Sequence, residues 1–329
     1  MMAHCRSPLP RLFAAVFAGT VATVAPAQDD YPSRPITLVV GYSAGGSTDS
    51  VARPFAEVFG RVLKTRVIVE NFSGAGGALG ALKVVTAKPD GYTLLMGGNS
   101  ELIATKLINP KQPYDGQKDL APIGVVNHQG GMLLASRQSG VKTTDQFIQL
   151  LRKNPDKYNY GSSGTGSMFH FAGELVRERT GTRITHVAYR GVPALGNDLA
   201  GGAVEFGYMG TGPAKPLIDA GVVVPIAVTS GTRAPIYPNV PALAEHPELK
   251  GYELTGWFAL MAPKAVPEPV IAKLKAALKE TLKDARLRQT FNDLGGLPMI
   301  EDEDLPALMR AEDARYRKFV ATAQLETQK

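Results

Sequence analysis

The chain has 329 residues, 44% of them hydrophobic and 20% charged, with a formal net charge of +6 and a single cysteine. That length allows one large or two medium domains, and the composition excludes a low-complexity or intrinsically disordered chain. The basic residues are neither gathered in a stripe nor interleaved with aromatics, which argues against nucleic-acid binding; a mildly basic surface suits anionic solutes.

Residues 1–27 read as a cleaved secretory signal peptide and not as part of the fold. Arg6 and Arg11 give a positive start, Leu12 to Val24 is apolar but short for a membrane span, and Ala25-Pro26-Ala27 is a small-x-small cleavage site before polar Gln28-Asp29-Asp30. Cys5 precedes the apolar run, where a lipid-anchor cysteine would not stand. Cleavage therefore leaves a periplasmic chain with no thiol for disulfides, metal or catalysis. Losing Arg6 and Arg11 lowers the formal charge from +6 to +4.

The mature chain opens with a predicted strand at Ile36–Val40 and a glycine turn, Gly41 to Gly46. A helix follows, with Ser47 or Thr48 as cap, Asp49 in its first turn, and Val51, Phe55, Val58, Phe59 and Val62 on one face. Pro54 must lie in the first turn or kink that helix. Strand Val67–Val69, a second glycine turn at Gly74–Gly77, a helix to about Ala87, the turn Pro89-Asp90-Gly91 and strand Tyr92–Met96 complete an alternation typical of a parallel sheet.

The order then changes. Ile123–Val126 and Met132–Ala135 read as two strands separated by a polar loop, followed by a helix over Thr144–Lys153. Strand-like Tyr158–Tyr160 enters a third glycine turn, Gly161 to Ser167, and a helix carrying Met168, Phe171, Ala172, Leu175 and Val176 that ends at Thr180-Gly181. Beyond it come strand Thr185–Val187, helix Pro193–Ala200, strands Val204–Tyr208 and Pro225–Thr229, and a proline-rich stretch, Pro235–Pro247. Gly251–Met261 is extended and holds the only tryptophan, Trp257; a helical tail follows, its last helix spanning Leu305–Gln324. Extended crossings near 121–128 and 252–262 imply two α/β lobes around a cleft, one made of residues 28–125 and 258–329, the other of 126–257. Ligands of open α/β sheets sit beside strand carboxyl ends and helix N-termini, where both turns, 41–47 and 161–167, lie.

Glycines in the first turn let backbone N–H groups approach a ligand, and with the helix dipole they form a seat for one carboxylate. No Gly-Lys-Ser/Thr follows, so it is not a P-loop. In the second seat Ser162, Ser163, Thr165 and Ser167 add hydroxyls, and His170 faces either cleft or lobe. Gly74 to Gly80 looks like a dinucleotide fingerprint, but the acid expected about twenty residues on is missing, so close helix–strand packing is the expected role. Arg190, after a strand, suits a second carboxylate; Asp198 is expected to hold a loop or a water. The mature histidines, His128, His170, His186 and His246, lack metal-ligand spacing, and no Gly-x-Ser-x-Gly elbow occurs.

The chain resembles the Bug-type, TctC-like periplasmic receptors of tripartite tricarboxylate transporters. The resemblance rests on Tyr31–Ile36, Ala44-Gly45-Gly46 with Asp49, Val69-Glu70-Asn71 with Gly74–Gly77, Pro89–Leu95, Tyr114-Asp115, Lys118-Asp119, Ala121–Ile123, Gly164-x-Gly166-Ser167 with His170, Tyr189-Arg190-Gly191, Ala227–Ser230, Pro238–Pro241, and Gly251–Glu253 with Trp257. It implies a type II periplasmic-binding-protein fold of two hinged lobes, a non-enzymatic receptor without cofactor or metal, a small carboxylate ligand, membrane permease subunits as partners, and a monomer. Carried onto this chain, the ligand-binding set is Tyr42, Ser43, Ala44, Gly45, Gly46, Ser47, Asp49, Asn99, Ser162, Ser163, Gly164, Thr165, Gly166, Ser167, His170, Arg190 and Asp198. Departures from the family pattern stand at Gly41-Tyr42-Ser43, at Glu101-Leu102, where Thr-His is frequent, and at the shifted proline of Val192-Pro193-Ala194. The rival readings are a carboxylate sensor for a membrane signalling partner and an enzyme with a general base near Ser162 or His170.

Overall fold

Strand β1 (Ile36–Val40) is buried at four of five positions, as a strand covered by helices on both faces must be. Helix α1 (Ser47–Leu63) carries the chain to β2 (Val67–Asn71), and α2 (Ala78–Val85) carries it to β3 (Thr93–Gly98); β1 pairs in parallel with both strands. A turn at Ser100–Ala104 and short α3 (Thr105–Ile108) lead to β4 (Leu120–Ser136). A second parallel unit follows: α4 (Thr144–Lys153), β5 (Asn159–Ser162), α5 (Met168–Thr180), β6 (Thr185–Ala188), α6 (Val192–Gly201) and β7 (Phe206–Gly210). After α7 (Thr211–Asp219) and β8 (Val223–Val228), β9 (Thr255–Pro263) crosses back, and α8 (Glu268–Thr281), α9 (Ala285–Asp293), β10 (Gly296–Leu297) and α10 (Leu305–Thr322) finish the chain. This computed structural model describes residues 1–2, 31–297, 300 and 302–322. The expected signal peptide beyond Met2 and the expected end of the last helix at Gln324 lie outside the described residues. Among the described residues no helix is long and apolar enough to cross a membrane.

Strand order is β2-β1-β3-β9-β4-β7-β5-β6, with β8 and β10 also on β4. The two lobes share β4. Up to Gly130 it pairs antiparallel with β9; from Gly131 it pairs with β7, and from Met132 with β8. Side-chain alternation follows the strand period: Met132 and Leu134 enter one cluster with Val192, Leu195 and Leu199, while Leu133 and Ala135 enter another with Phe147, Phe171 and Phe206.

Four local expectations are corrected. The polar loop expected between two strands is the middle of β4, because Asn127, His128 and Gln129 ladder with Phe258, Trp257 and Gly256. The cap of α1 is Gly46, not Ser47 or Thr48. No element was expected between the strands at 204–208 and 225–229, where the structure has α7; Pro213 falls in its first turn, where no N–H is required. The tail breaks at Asp284, whose carboxylate accepts from Leu287 N–H at 2.9 Å and so starts α9.

The glycine run before α2 does pack helix on strand: a Cβ on Gly80 would lie 2.6 Å from Gly41 Cα and 3.1 Å from Phe72 O. Backbone cannot yield as a side chain does, so Gly80→Ala is expected to destabilise the protein by about 1–3 kcal/mol, read as a lower urea midpoint. An unchanged midpoint would show that α2 is not held against β1.

Candidate functional site

The turn before α1 is built by Asp49. Its carboxylate accepts from Gly45 N–H, from Arg53 twice and from Asn71 Nδ2, all at 2.9 Å, and Asn71 Nδ2 also reaches Tyr42 O at 3.0 Å. Burial alone would raise the Asp49 pKa, but these hydrogen bonds outweigh it and hold the group below its usual range. The carboxylate is therefore a brace: it fixes the turn so that the first amides of α1, which have no acceptor inside the helix, face outward.

The second turn is braced from inside its own lobe. Ser162 Oγ meets His186 Nε2 at 2.7 Å, Ser167 Oγ caps α5 by accepting His170 N–H at 3.2 Å, and His170 Nδ1 accepts Gly166 N–H at 3.2 Å. His170 and His186 stack with ring centroids 4.1 Å apart. Burial, and then the neighbouring His170, depresses the His186 pKa to about 3, and burial lowers that of His170 as well. Both rings are neutral near pH 7.

The two turns meet. Met168 N–H, at the start of α5, donates to Ser100 Oγ at 3.0 Å. Gly191 passes so close to the Ser43 side chain that no Cβ would fit there, and a Cβ on Gly76 would lie 2.6 Å from Thr165 O. Between the lobes lies a cleft of about 500 Å³. It is walled by Tyr42, Gly46, Ser47 and Thr48 from one turn, Ser163, Ser167, Met168 and Phe169 from the other, Gly98–Glu101 after β3, and Gln129, Val192, Gly256 and Phe258. No lysine, arginine or histidine is among these residues, and Glu101 is the only carboxyl. Ser47 Oγ is buried there without a hydrogen-bond partner. A second chamber of about 620 Å³ shares Tyr42 and Ser163 with the first and is lined also by Gly74–Gly77, Gly164, Thr165 and Ala188–Arg190.

The structure thus divides the expected set. Tyr42, Gly46, Ser47, Asn99, Ser163 and Ser167 line the inner cleft; Gly164, Thr165 and Arg190 line the outer chamber and not the inner cleft. Ser43, Ala44, Gly45, Asp49, Ser162, Gly166, His170 and Asp198 line neither. Asp198 accepts from Tyr189 OH at 2.7 Å and so positions a residue of the outer chamber. His170 faces its own lobe, and the Ser162 and Ser167 hydroxyls are engaged by the turn itself.

Sequence reasoning missed Ser100, Gln129, Met168, Phe169, Phe258 and, above all, Glu101. Its side chain is 1% exposed, with Oε1 accepting Gly98 N–H at 2.9 Å and Oε2 lying 3.3 Å from Tyr42 OH. Burial raises its pKa to about 7, against the opposing pull of the backbone and Tyr42 hydrogen bonds. The available signal was its place at the carboxyl end of a strand, where the family pattern differs.

Two α/β lobes joined by two extended strands, closed over a cleft, form the two-lobed fold of periplasmic binding proteins. Over residues 51–324 the chain matches the tripartite tricarboxylate transporter family receptor model, and it belongs to that family. Protein BugT of Bordetella pertussis is 32% identical over 293 residues, covering 88% of this chain and 89% of BugT. A protein of R. palustris solved with adipate superposes with a TM-score of 0.86 at 30% identity, covering 90% of this chain and 99% of that one. MatC from Rhodopseudomonas palustris, solved with bound malate, gives 0.83 at 32% identity, covering 88% and 100%.

The neutral histidine pair has a measurable consequence. A histidine whose folded pKa lies below its unfolded value near 6.5 binds fewer protons when folded, so acidification below that value favours unfolding. For His186 the loss between pH 7.5 and 5 is expected to be about 2 kcal/mol, and His186→Gln, which keeps a partner for Ser162, should flatten that part of the profile in urea melts. Equal slopes for both proteins would place His186 in solvent.

Proposed function

We propose that this protein is an extracytoplasmic receptor, exported through residues 1–27, that captures a small carboxylate by closing its lobes and presents it to the membrane subunits of a tripartite transporter. The observation that carries the reading is that the N-termini of α1 and α5, one from each lobe, line the same cleft with no basic side chain beside them. The first amides of α1 and the dipole of α5, whose Met168 and His170 N–H groups are held by Ser100 and Ser167, are suited to one carboxylate, and water exclusion on closure strengthens such bonds. Ligand bonds that span the cleft only when it is shut shift the open–closed balance toward closed. The lobes are 28–125 with 258–329, and 126–257, and the hinge lies in β4 and β9, near where β4 leaves β9 for β7 at Gly130–Gly131.

Dicarboxylates are the favoured class. The related proteins were solved with adipate and malate, and Arg190, exposed in the outer chamber, offers a guanidinium to a second acid group. The enzymatic alternative has a Ser162–His186 pair at 2.7 Å to recommend it. Ser162, however, is fully buried and lines neither cleft, which supports binding over turnover.

Dicarboxylic acids at about 100-fold over Kd should stabilise the protein by about 2.7 kcal/mol. They should also change the fluorescence of Trp257, which lies on β9, and shrink the particle in small-angle scattering, with the acid recovered unaltered. Arg190→Ala should weaken diacids about tenfold and leave monoacids unaffected. Stabilisation by a neutral sugar, with no response to any acid, would sink the reading.

A further inference from the structure

The inner cleft built for an anion contains an acid of its own. Glu101 stands on the turn after β3, 1% exposed, and among the described residues no cationic side chain lines the cleft with it. Nearby cations are engaged elsewhere: Lys83 with Glu70, Lys106 with the carbonyls of Pro110 and Gln112, and Arg315 with Glu312 and Glu253 O. The titratable groups that do face Glu101 are phenols, Tyr42 at its carboxyl and Tyr114, whose OH donates to the Glu101 carbonyl at 2.7 Å. A further acid, Glu312 of α10, reaches neighbouring Asn99 Nδ2 at 3.4 Å.

Proton counting at Tyr42 then bears on the form of Glu101. A phenol has one hydrogen to donate. Tyr42 OH lies 2.8 Å from Gly76 O and 3.3 Å from Glu101 Oε2. If the shorter contact takes the hydrogen, Oε2 meets the phenol oxygen as one lone pair against another unless Oε2 itself carries a proton. Oε1 is then the carbonyl oxygen, and it accepts Gly98 N–H at 2.9 Å. The upward pKa shift from burial agrees with this count, and a carboxylate arriving in the same cleft pushes in the same direction.

We infer that Glu101 is held in the closed cleft as the neutral carboxylic acid, so that the receptor takes up a proton from solvent with its anion, and the ligand presents no ammonium to Glu101. The inference rests on the carboxylate-receptor reading for the ligand, but not for the state of Glu101 itself, whose carboxyl partners, Tyr42 and Gly98, both come from the lobe that carries it.

The test uses the mature protein and E101Q with adipate, malate and glutamate. Affinity is measured by calorimetry at pH 5.5, 7 and 8.5, in buffers of differing ionisation enthalpy, and infrared difference spectra of wild type against E101Q are recorded without ligand. The expected wild-type result is a diacid Kd that rises about tenfold per pH unit above about pH 7, with proton uptake on binding. E101Q is expected to lose both the slope and the uptake and to bind diacid at least tenfold more tightly than wild type at pH 8.5. The spectra should show a protonated carboxyl band at pH 5.5 that is gone by pH 8.5. A flat or inverted wild-type slope overturns the inference and leaves the receptor reading standing. So does a preference for glutamate that E101Q abolishes, since that would mean an ionised Glu101 pairing with an ammonium. If no acid binds either protein, the receptor reading falls, and the carboxyl band alone decides the protonation of Glu101.

Discussion

An α-helix leaves its first N–H groups without acceptors inside the helix, and this structure turns two such ends toward one space. The start of α1 belongs to one lobe and the start of α5 to the other, and both line the inner cleft. The remaining architecture keeps both helix starts aimed at that space, although at α5 Met168 N–H is taken by Ser100 Oγ and His170 N–H by Ser167 Oγ. Parallel strands end where helices begin, so each lobe presents a helix start at the carboxyl edge of its sheet. Strands β4 and β9 tie the lobes together so that the two edges face one another.

Aiming backbone groups requires stiff turns, and the side chains that stiffen them are charged or polar residues that leave the cleft to the backbone. Asp49, Arg53 and Asn71 form one such brace, and Ser162, His170 and His186 form the other. Much of the polar chemistry near the site is therefore committed to structure. Among the described residues, what remains facing the inner cleft is amide, hydroxyl and aromatic surface, with a single acid. A cleft of that composition stabilises an anion through dipoles and not through a counter-charge, which keeps the desolvation penalty of a buried ion pair out of the binding step.

Closure depends on the absence of side chains. Gly191 runs against Ser43, Gly76 against Thr165, and Gly164 lies beside Gly76. The glycine runs at 74–77 and 161–166 thus serve two purposes, turning the chain and letting the lobes touch. The nucleotide-like look of Gly74–Gly80 has the same origin: close approach of backbone is needed in both cases, and the neighbours here are β1 and the opposite lobe instead of a pyrophosphate.

Local patterns in the sequence determined the alternation of strand and helix, the two glycine turns at helix starts, and the pair of extended crossings, because periodicity and turn chemistry act over a few residues. They also sufficed to suggest the receptor family and about a third of the residues around the two clefts. Tertiary structure alone decided which polar groups face the cleft. Asp49 and His170 carry the same chemistry whether they brace a turn or touch an anion, and only the partners brought to them from Asn71 and His186 distinguish the two. Asn127 to Gln129 look like a loop until β9 supplies their ladder, and Glu101 looks like a surface acid until Tyr42, Gly98 and the opposing lobe bury it. Burial and pairing are properties of distant segments meeting, and no local window of the chain contains them.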